Sequence, residues 1–163
     1  MEHKMRRFKQ QLPASESKEI LLTATNGILS LTDTDGTPYG VPLSFAYDGA
    51  NAIYFHCART GHKIDCISND ARTSFCVVAA DNVVPEKFTT LFKSVIVSGK
   101  ISIVTDKDEI MNGLIMLSEK YSPGIDPSDE ISKFFNNVLV LRLDISAISG
   151  KEGIELTRQR SIK

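Results

Sequence analysis

The sequence predicts an antiparallel β-barrel with short peripheral helices, mainly β within the α+β class. Three observations point there. Apolar and polar residues alternate along several short segments. Asp35-Gly36 and Asp48-Gly49 stand between such segments, where tight hairpin turns are needed. The strand-like segments are also mostly consecutive, which disfavours a parallel sheet with a crossover helix between each pair of strands.

Taken in order, the chain predicts about six strands and four short helices. A helix follows Pro13, with Ile20, Leu21 and Ala24 on one side, Ser15 or Ser17 as cap, and an end near Asn26-Gly27. Ile28–Thr32 alternates as a first strand. Tyr39–Tyr47 is a second, with Val41, Leu43, Phe45 and Tyr47 on one face, and Ala52–Cys57 a third. Gly61–Asp70 reads as a helix with Ile64 and Ile67 inward. Arg72–Ala80 returns to strand, 81–91 is expected to be a loop around Pro85, and Phe92–Val104 is a long strand with a bulge or bend at Gly99. Asp106 caps an acidic helix start whose helix buries Ile110, Leu114 and Leu117 and ends near Tyr121. Pro127 suits the first position of a further helix with Asp126 as cap, and Val138–Ile148 is the last strand.

Composition narrows the function classes. The 163 residues suit one domain over 1–163, with 42% hydrophobic and 24% charged residues, as in ordinary globular proteins. No apolar run reaches the ~18 residues of a membrane span, and the basic start is followed by no apolar signal core, so a cytoplasmic protein with no membrane partner is expected. A formal charge of −1 gives no footprint for a nucleic-acid partner. That charge is uneven. Residues 1–10 carry +3 and 150–163 carry +2, leaving −6 on the remainder. The basic segments 1–12 and 150–163 are expected to be solvated tails, His3 included; the sharper alternative folds them over an anionic ligand.

Cys57, Cys66 and Cys76 form an odd set without CxxC, which predicts reduced, mostly buried thiols. His56, Cys57, His62 and Cys66 offer four zinc-type donors, but Cys–x4–His–x3–Cys fits no common structural finger, and no metal is expected. Dinucleotide, Walker, serine-elbow and HExxH patterns are absent, and no catalytic residue is identified.

The most informative segment is Tyr54-Phe55-His56-Cys57-Ala58-Arg59-Thr60-Gly61-His62-Lys63. A strand leaves through a small-residue turn and enters a helix, and basic side chains bracket that entry. Unpaired amides at a helix start favour an anion, and Arg59, His62 and Lys63 add donors. The residues alone leave two readings open: a phosphate site for a small ligand, or a helix start with solvated Arg and Lys.

Further segments bear on the choice. Met5-Arg6-Arg7 precedes Gly40-Val41-Pro42-Leu43-Ser44-Phe45-Ala46-Tyr47-Asp48-Gly49; Ser94-Val95-Ile96-Val97-Ser98-Gly99-Lys100, Glu119-Lys120-Tyr121-Ser122-Pro123 and Ile148-Ser149-Gly150-Lys151 follow. In this order and spacing, from about Met5 to Lys151, the chain resembles the pyridoxamine 5′-phosphate oxidase-like flavin-binding split barrels, in particular their 5-nitroimidazole resistance (Nim-type) branch. The resemblance implies a six-stranded split barrel that forms a homodimer with flavin mononucleotide (FMN) at the interface, FAD being the alternative cofactor. It places Val41, Pro42, Leu43 and Ser44 along the isoalloxazine ring, partly through backbone groups. His56, Cys57 and Ala58 would continue the groove floor, Gly61, His62 and Lys63 would take the phosphate, and Ser94 and Val95 would approach from the neighbouring strand or the partner subunit. Lys151 is a weaker candidate.

The sequence departs from the family pattern in three places. Phe92 replaces a usual tyrosine, His62 stands where arginine is common, so that charge depends on pH, and Cys57 takes a position often held by Gly or Ser. Phe45, Tyr47 and Tyr54 read as core or interface rather than ring-stacking residues. The function implied is a flavin-dependent oxidoreductase reducing nitroaromatic, 5-nitroimidazole-like compounds with electrons from a reduced nicotinamide cofactor. The alternative is a non-catalytic flavin-, deazaflavin- or haem-binding protein on the same barrel.

Overall fold

In the computed structural model, residues 4–160 are described; His3 lies outside them. Among the described residues seven strands form one antiparallel sheet: β1 (Asn26–Thr32), β2 (Pro38–Ser44), β3 (Ala46–Tyr47), β4 (Ala52–Ala58), β5 (Arg72–Val84), β6 (Thr89–Ile103) and β7 (Val138–Glu152). Their order is β2-β1-β5-β6-β7-β4-β3. Strands β2 and β3 are separated only by Phe45 yet occupy opposite edges of this sheet. The sheet must therefore curl until its edges meet at Phe45, which makes an open-seamed, split barrel.

The single strand expected over Tyr39–Tyr47 is thus two strands with different partners, β2 on β1 and β3 on β4. Phe45 interrupts it because its backbone bonds to a side chain. Its N–H donates to the Tyr121 hydroxyl at 2.8 Å, and the same hydroxyl lies 3.1 Å from its carbonyl oxygen. This break accounts for seven strands where six are expected.

Both Asp-Gly turns form as expected, with positive φ at Gly36 and Gly49. The carboxylate of Asp48 accepts from the amides of Ala50, Asn51 and Ala52 at 2.8–3.0 Å. The expected loop over 81–91 is instead the far end of a β5–β6 hairpin, closed by a single 3₁₀ turn at Pro85–Lys87. Asn82 and Val83 face Leu91 and Thr90 across it, so Pro85 marks only the tip of the hairpin and not a longer loop. The bulge expected at Gly99 is present: Ser98 faces Ala147 and Gly99 faces Ile145, leaving Ser146 as the extra residue.

Among the described residues five α-helices surround the sheet: α1 (Ala14–Thr23), α2 (His62–Asn69), α3 (Lys107–Tyr121), α4 (Ser128–Phe134) and α5 (Ile154–Arg160). Helix α1 ends before Asn26-Gly27 and has no side-chain cap; Ser17 lies inside it, donating to the Pro13 carbonyl. Asp106 caps α3 as expected, accepting from the Glu109 amide at 2.9 Å. Pro127 precedes α4 rather than opening it, while Asp126 accepts from the Ser128 amide. Residues 150–160 are not a solvated tail. They complete β7 and form α5, where Arg160 stands 2.9 Å from the carboxylate of Glu152, which is only 2% exposed.

The barrel interior packs Phe45, Phe55 and Phe75 edge to face, with ring centroids 4.8 and 5.1 Å apart. A second, smaller core lies outside the barrel, where Ala52, Tyr54, Val104 and Val140 pack beneath Ile110, Leu114 and Met116 of α3 and its surroundings. Tyr54 donates to Glu109 at 3.0 Å and Arg142 bonds the same carboxylate at 2.7 Å, pinning α3 to β4 and β7. Tyr54 is therefore core, as are Phe45 and Tyr47.

Candidate functional site

Side chains alternate across a strand, so the twelve sequence-derived ligand candidates cannot all face one groove. Val41, Leu43 and Cys57 pack against the barrel core, and Val95 is fully buried within it. Val95 can meet a ligand only through its backbone, and the other three present only part of their side chains to solvent. For β2 the backbone route is open, because an edge strand leaves alternate N–H and C=O groups unpaired. Pro42 and Ser44 point outward, as do His56 and Ala58 at the end of β4.

Two of the outward residues converge. Ser44 and His56 line a cavity of about 540 Å³ between β4 and helices α3 and α4, whose walls include Leu117, Tyr121, Phe134 and Phe135. That volume falls within the about 300–1,000 Å³ usual for small-molecule sites. A cavity of about 590 Å³ lies elsewhere, at the β5–β6 hairpin beside Gln10 and α5, and holds none of the twelve candidates. The smaller cavity is the better functional candidate because it brings together two of the twelve candidates.

The turn from β4 into α2 is built for close approach. Gly61 has φ of 130°, a conformation that side chains rarely adopt, and no side chain caps the helix it precedes. The Gly61 carbonyl accepts from the amides of Ile64 at 2.8 Å and Asp65 at 3.3 Å, and Lys63 in the first turn of α2 is half-buried. Arg59 is exposed and donates to the Asn136 carbonyl at 3.3 Å, tying this turn to the start of β7.

His62 is engaged in a different direction. Its Nε2 stands 3.2 Å from an Asp33 carboxylate oxygen, and its ring packs edge-on to Tyr39 at 4.5 Å. Of the four zinc-type donors in the sequence, only His62 and Cys66 meet, and the third member of their cluster is Asp33. Burial raises the thiol pKa of Cys66, helped by Asp33 and Asp65, and burial raises that of Cys57. The three cysteines are free thiols, Cys66 buried and the other two half-buried.

Ser94 pairs with Val78 on β5 and Lys151 on β7, on the outer face of the sheet. One register further along, Pro42, Ile28, Cys76, Ile96 and Ser149 form a row across five strands on that face. Ile28, Val78 and Ile96 are 43%, 63% and 47% exposed, which makes an apolar patch beside Ser94. Lys151 places its ammonium 5.8 Å from the ring centroid of Phe92.

Sequence reasoning missed Tyr121, Phe134 and Phe135 as cavity walls. Their apolar helical spacing was visible, but only packing shows that α3 and α4 stand over His56 rather than another face.

No curated protein sequence matches the chain. Solved structures do match. One is a candidate 5-nitroimidazole antibiotic resistance protein from Bacteroides thetaiotaomicron, 22% identical, with a TM-score of 0.75 over 87% of this chain and 86% of that one. An FAD- and haem-binding protein from Mycobacterium smegmatis is 19% identical, with a TM-score of 0.75 over 88% and 73%. An FAD-binding protein from Mesorhizobium loti is 25% identical, with a TM-score of 0.64 over 88% and 96%. The pyridoxamine 5′-phosphate oxidase family model matches residues 13–152, the stretch from the start of α1 to the end of β7 that builds the barrel, its seam and the β4–α2 turn. The chain belongs to the pyridoxamine 5′-phosphate oxidase family.

Proposed function

We propose that this protein binds a flavin, FMN in preference to FAD, between two copies of the chain and works as an oxidoreductase. The observation that carries the reading is the β4–α2 turn, where a glycine at positive φ, an uncapped helix start and Lys63 together suit a phosphate. The residues present fit the rest of such a ligand. The free edge of β2 offers backbone donors and acceptors at Val41–Ser44 for a polar ring edge, while Pro42 and Ala58 offer small outward surfaces for its face.

When bound, flavin supplies two-electron transfer between a donor and an acceptor. The chain's own task is placement. Lys63 and the amides of α2 would hold the phosphate, β2 would orient the ring, and Ser94 would meet it from the outer face or from the second copy. The cavity at Ser44 and His56 would admit the partner molecule, with Leu117, Phe134 and Phe135 excluding water around a flat aromatic compound such as a nitroaromatic. A reduced nicotinamide cofactor is the proposed electron donor.

A second copy is supported by the outward row through Ile28 and Ile96 and by the β5–β6 hairpin. Val83 and Phe88 near the hairpin tip are 67% and 99% exposed, and Phe88 has φ of 48°. An apolar patch of this kind beside Ser94 gives a homodimer a reason to form around the ligand.

Absorption spectroscopy of the purified chain, with mass identification of the released ligand, tests the reading. A yellow protein releasing FMN and bleached by reduced nicotinamide cofactor supports it. A bound flavin that no donor reduces would leave the non-catalytic carrier reading, and haem or deazaflavin in its place would overturn the assignment.

A further inference from the structure

We propose that Asp33, His62 and Cys66 form a three-ligand site for one divalent transition-metal ion, zinc being the best match. The three come from two elements. His62 and Cys66 are one turn apart on α2, which puts their side chains on the same helix face. Asp33 follows β1 and opens the turn into β2.

One donor atom from each of the three lies within 4.8 Å of the other two. His62 Nε2 is 3.2 Å from an Asp33 oxygen, and Cys66 Sγ is 3.9 Å from His62 Nε2 and 4.0 Å from the other Asp33 oxygen. Tetrahedral zinc, about 2.0–2.1 Å from N and O and about 2.3 Å from S, separates its ligands by roughly 3.3–3.6 Å. The nitrogen–oxygen pair fits as it stands; the sulfur faces the second carboxylate oxygen, so a single metal needs the Asp33 carboxylate to rotate and the sulfur to close on the other two donors by up to about 1.2 Å, from within 4.8 Å to roughly 3.6 Å. Thiolate, imidazole and carboxylate together select zinc or a similar borderline ion over magnesium or calcium, which prefer all-oxygen sites.

The surroundings hold the donors in place. Asp33 accepts from the Thr34 amide at 2.7 Å, and the Tyr39 ring fixes the plane of the His62 imidazole. Cys66 is fully buried, whereas the side chains of His62 and Asp33 are 48% and 26% exposed. A metal would therefore sit with sulfur beneath it and an open side towards solvent, leaving its fourth position for water or another small ligand. Ligation through Nε2 leaves Nδ1–H as the ring's remaining donor, so an anion bound at α2 and a metal can both engage His62.

Cobalt(II) titration of the full chain, stripped with chelator and followed optically, tests the site, with zinc then used to displace the cobalt. The expected result is one cobalt per chain with a thiolate-to-cobalt absorption band. Cys57→Ala and Cys76→Ala should retain the band, and Cys66→Ala should abolish it. Asp33→Asn and His62→Gln change partly exposed side chains, so they keep the site testable should the Cys66 variant fail to fold. Each should weaken cobalt binding at least about tenfold. Absence of the band in the wild type, its survival in Cys66→Ala, or unchanged affinity in both the Asp33 and His62 variants would overturn the proposal.

Discussion

The hydroxyl of Tyr121 accepts from the backbone N–H of Phe45 at 2.8 Å, joining the last residue of α3 to the one residue that separates β2 from β3. The same hydroxyl faces the carbonyls of Phe45 and Thr25. A side chain thus takes the place of a neighbouring strand at the barrel seam, and the Tyr121 ring beside it forms a wall of the cavity at His56.

Tyr121→Phe keeps the ring and removes those bonds. Stability should fall by about 1–3 kcal/mol, because the amide and carbonyl of Phe45 lose their partner in a part-buried position. Urea unfolding with an unchanged slope is the check; no change in midpoint would show that water replaces the hydroxyl at no cost.

Gly99 marks the bulge opposite Ser146, and a Cβ there would lie 2.1 Å from the Asp144 carbonyl oxygen and 2.9 Å from Leu143. The clash is with backbone, which cannot rotate away. Gly99→Ala should cost at least the upper part of the about 1–3 kcal/mol typical of overpacking, read from the same unfolding measurement.

Lys63→Ala tests the phosphate assignment. FMN binding should weaken by about tenfold or more while riboflavin binding stays nearly constant, since a charge-assisted phosphate contact is worth about 1.5–3 kcal/mol. Equal loss for both ligands, measured by fluorescence titration, would place the effect of Lys63 outside the phosphate.

Ile96→Glu puts a charge at the centre of the outward apolar row. In a monomer this exposed change should move stability by no more than about 0.5 kcal/mol. In the proposed homodimer it should weaken association at least about thirtyfold and release flavin with it, as sedimentation and absorbance would record. A variant that sediments like the wild type would move the interface elsewhere.

Lys120 carries a pH prediction. Its ammonium lies 3.9 Å over the Phe45 ring and donates to the Leu21 carbonyl at 3.3 Å, yet burial pushes its pKa down from 10.5 to about 8. Between pH 8 and 10.5 the unfolded chain therefore binds more protons than the folded one, and this group's contribution to stability rises with pH. Below pH 8 both states are protonated and its cost is constant. Lys120→Met should show its greatest stability relative to wild type near pH 7, with that advantage shrinking as pH rises from 8 to 10.5.

Much of the fold was legible because its signals are local. The Asp35-Gly36 and Asp48-Gly49 turns, the Asp106 cap and the bulge at Gly99 each depend on a few adjacent residues and on backbone preferences. The misreadings share a different cause. Phe45 sits in an unbroken alternating run, and nothing nearby announces that Tyr121, 76 residues on, will satisfy its backbone. Residues 81–91 look like a loop because Pro85 stands among them, whereas Pro85 opens the short turn that closes the hairpin. The basic C-terminus looks like a tail because the carboxylate that Arg160 meets, Glu152, gives no sign in sequence of being buried.

For the candidate site, sequence determined which residue types lie along the strand end and helix start from His56 to Lys63, and with them the small-residue, basic character of that turn. Tertiary structure decided which of those side chains share a space. Strand alternation turned Val41, Leu43, Cys57 and Val95 into the core, and the curl of the sheet brought Ser44 to His56. The turn after β1 carried Asp33 to His62 and Cys66. Local chemistry is written in neighbouring residues; convergence depends on register and closure, which arise only when distant strands pair.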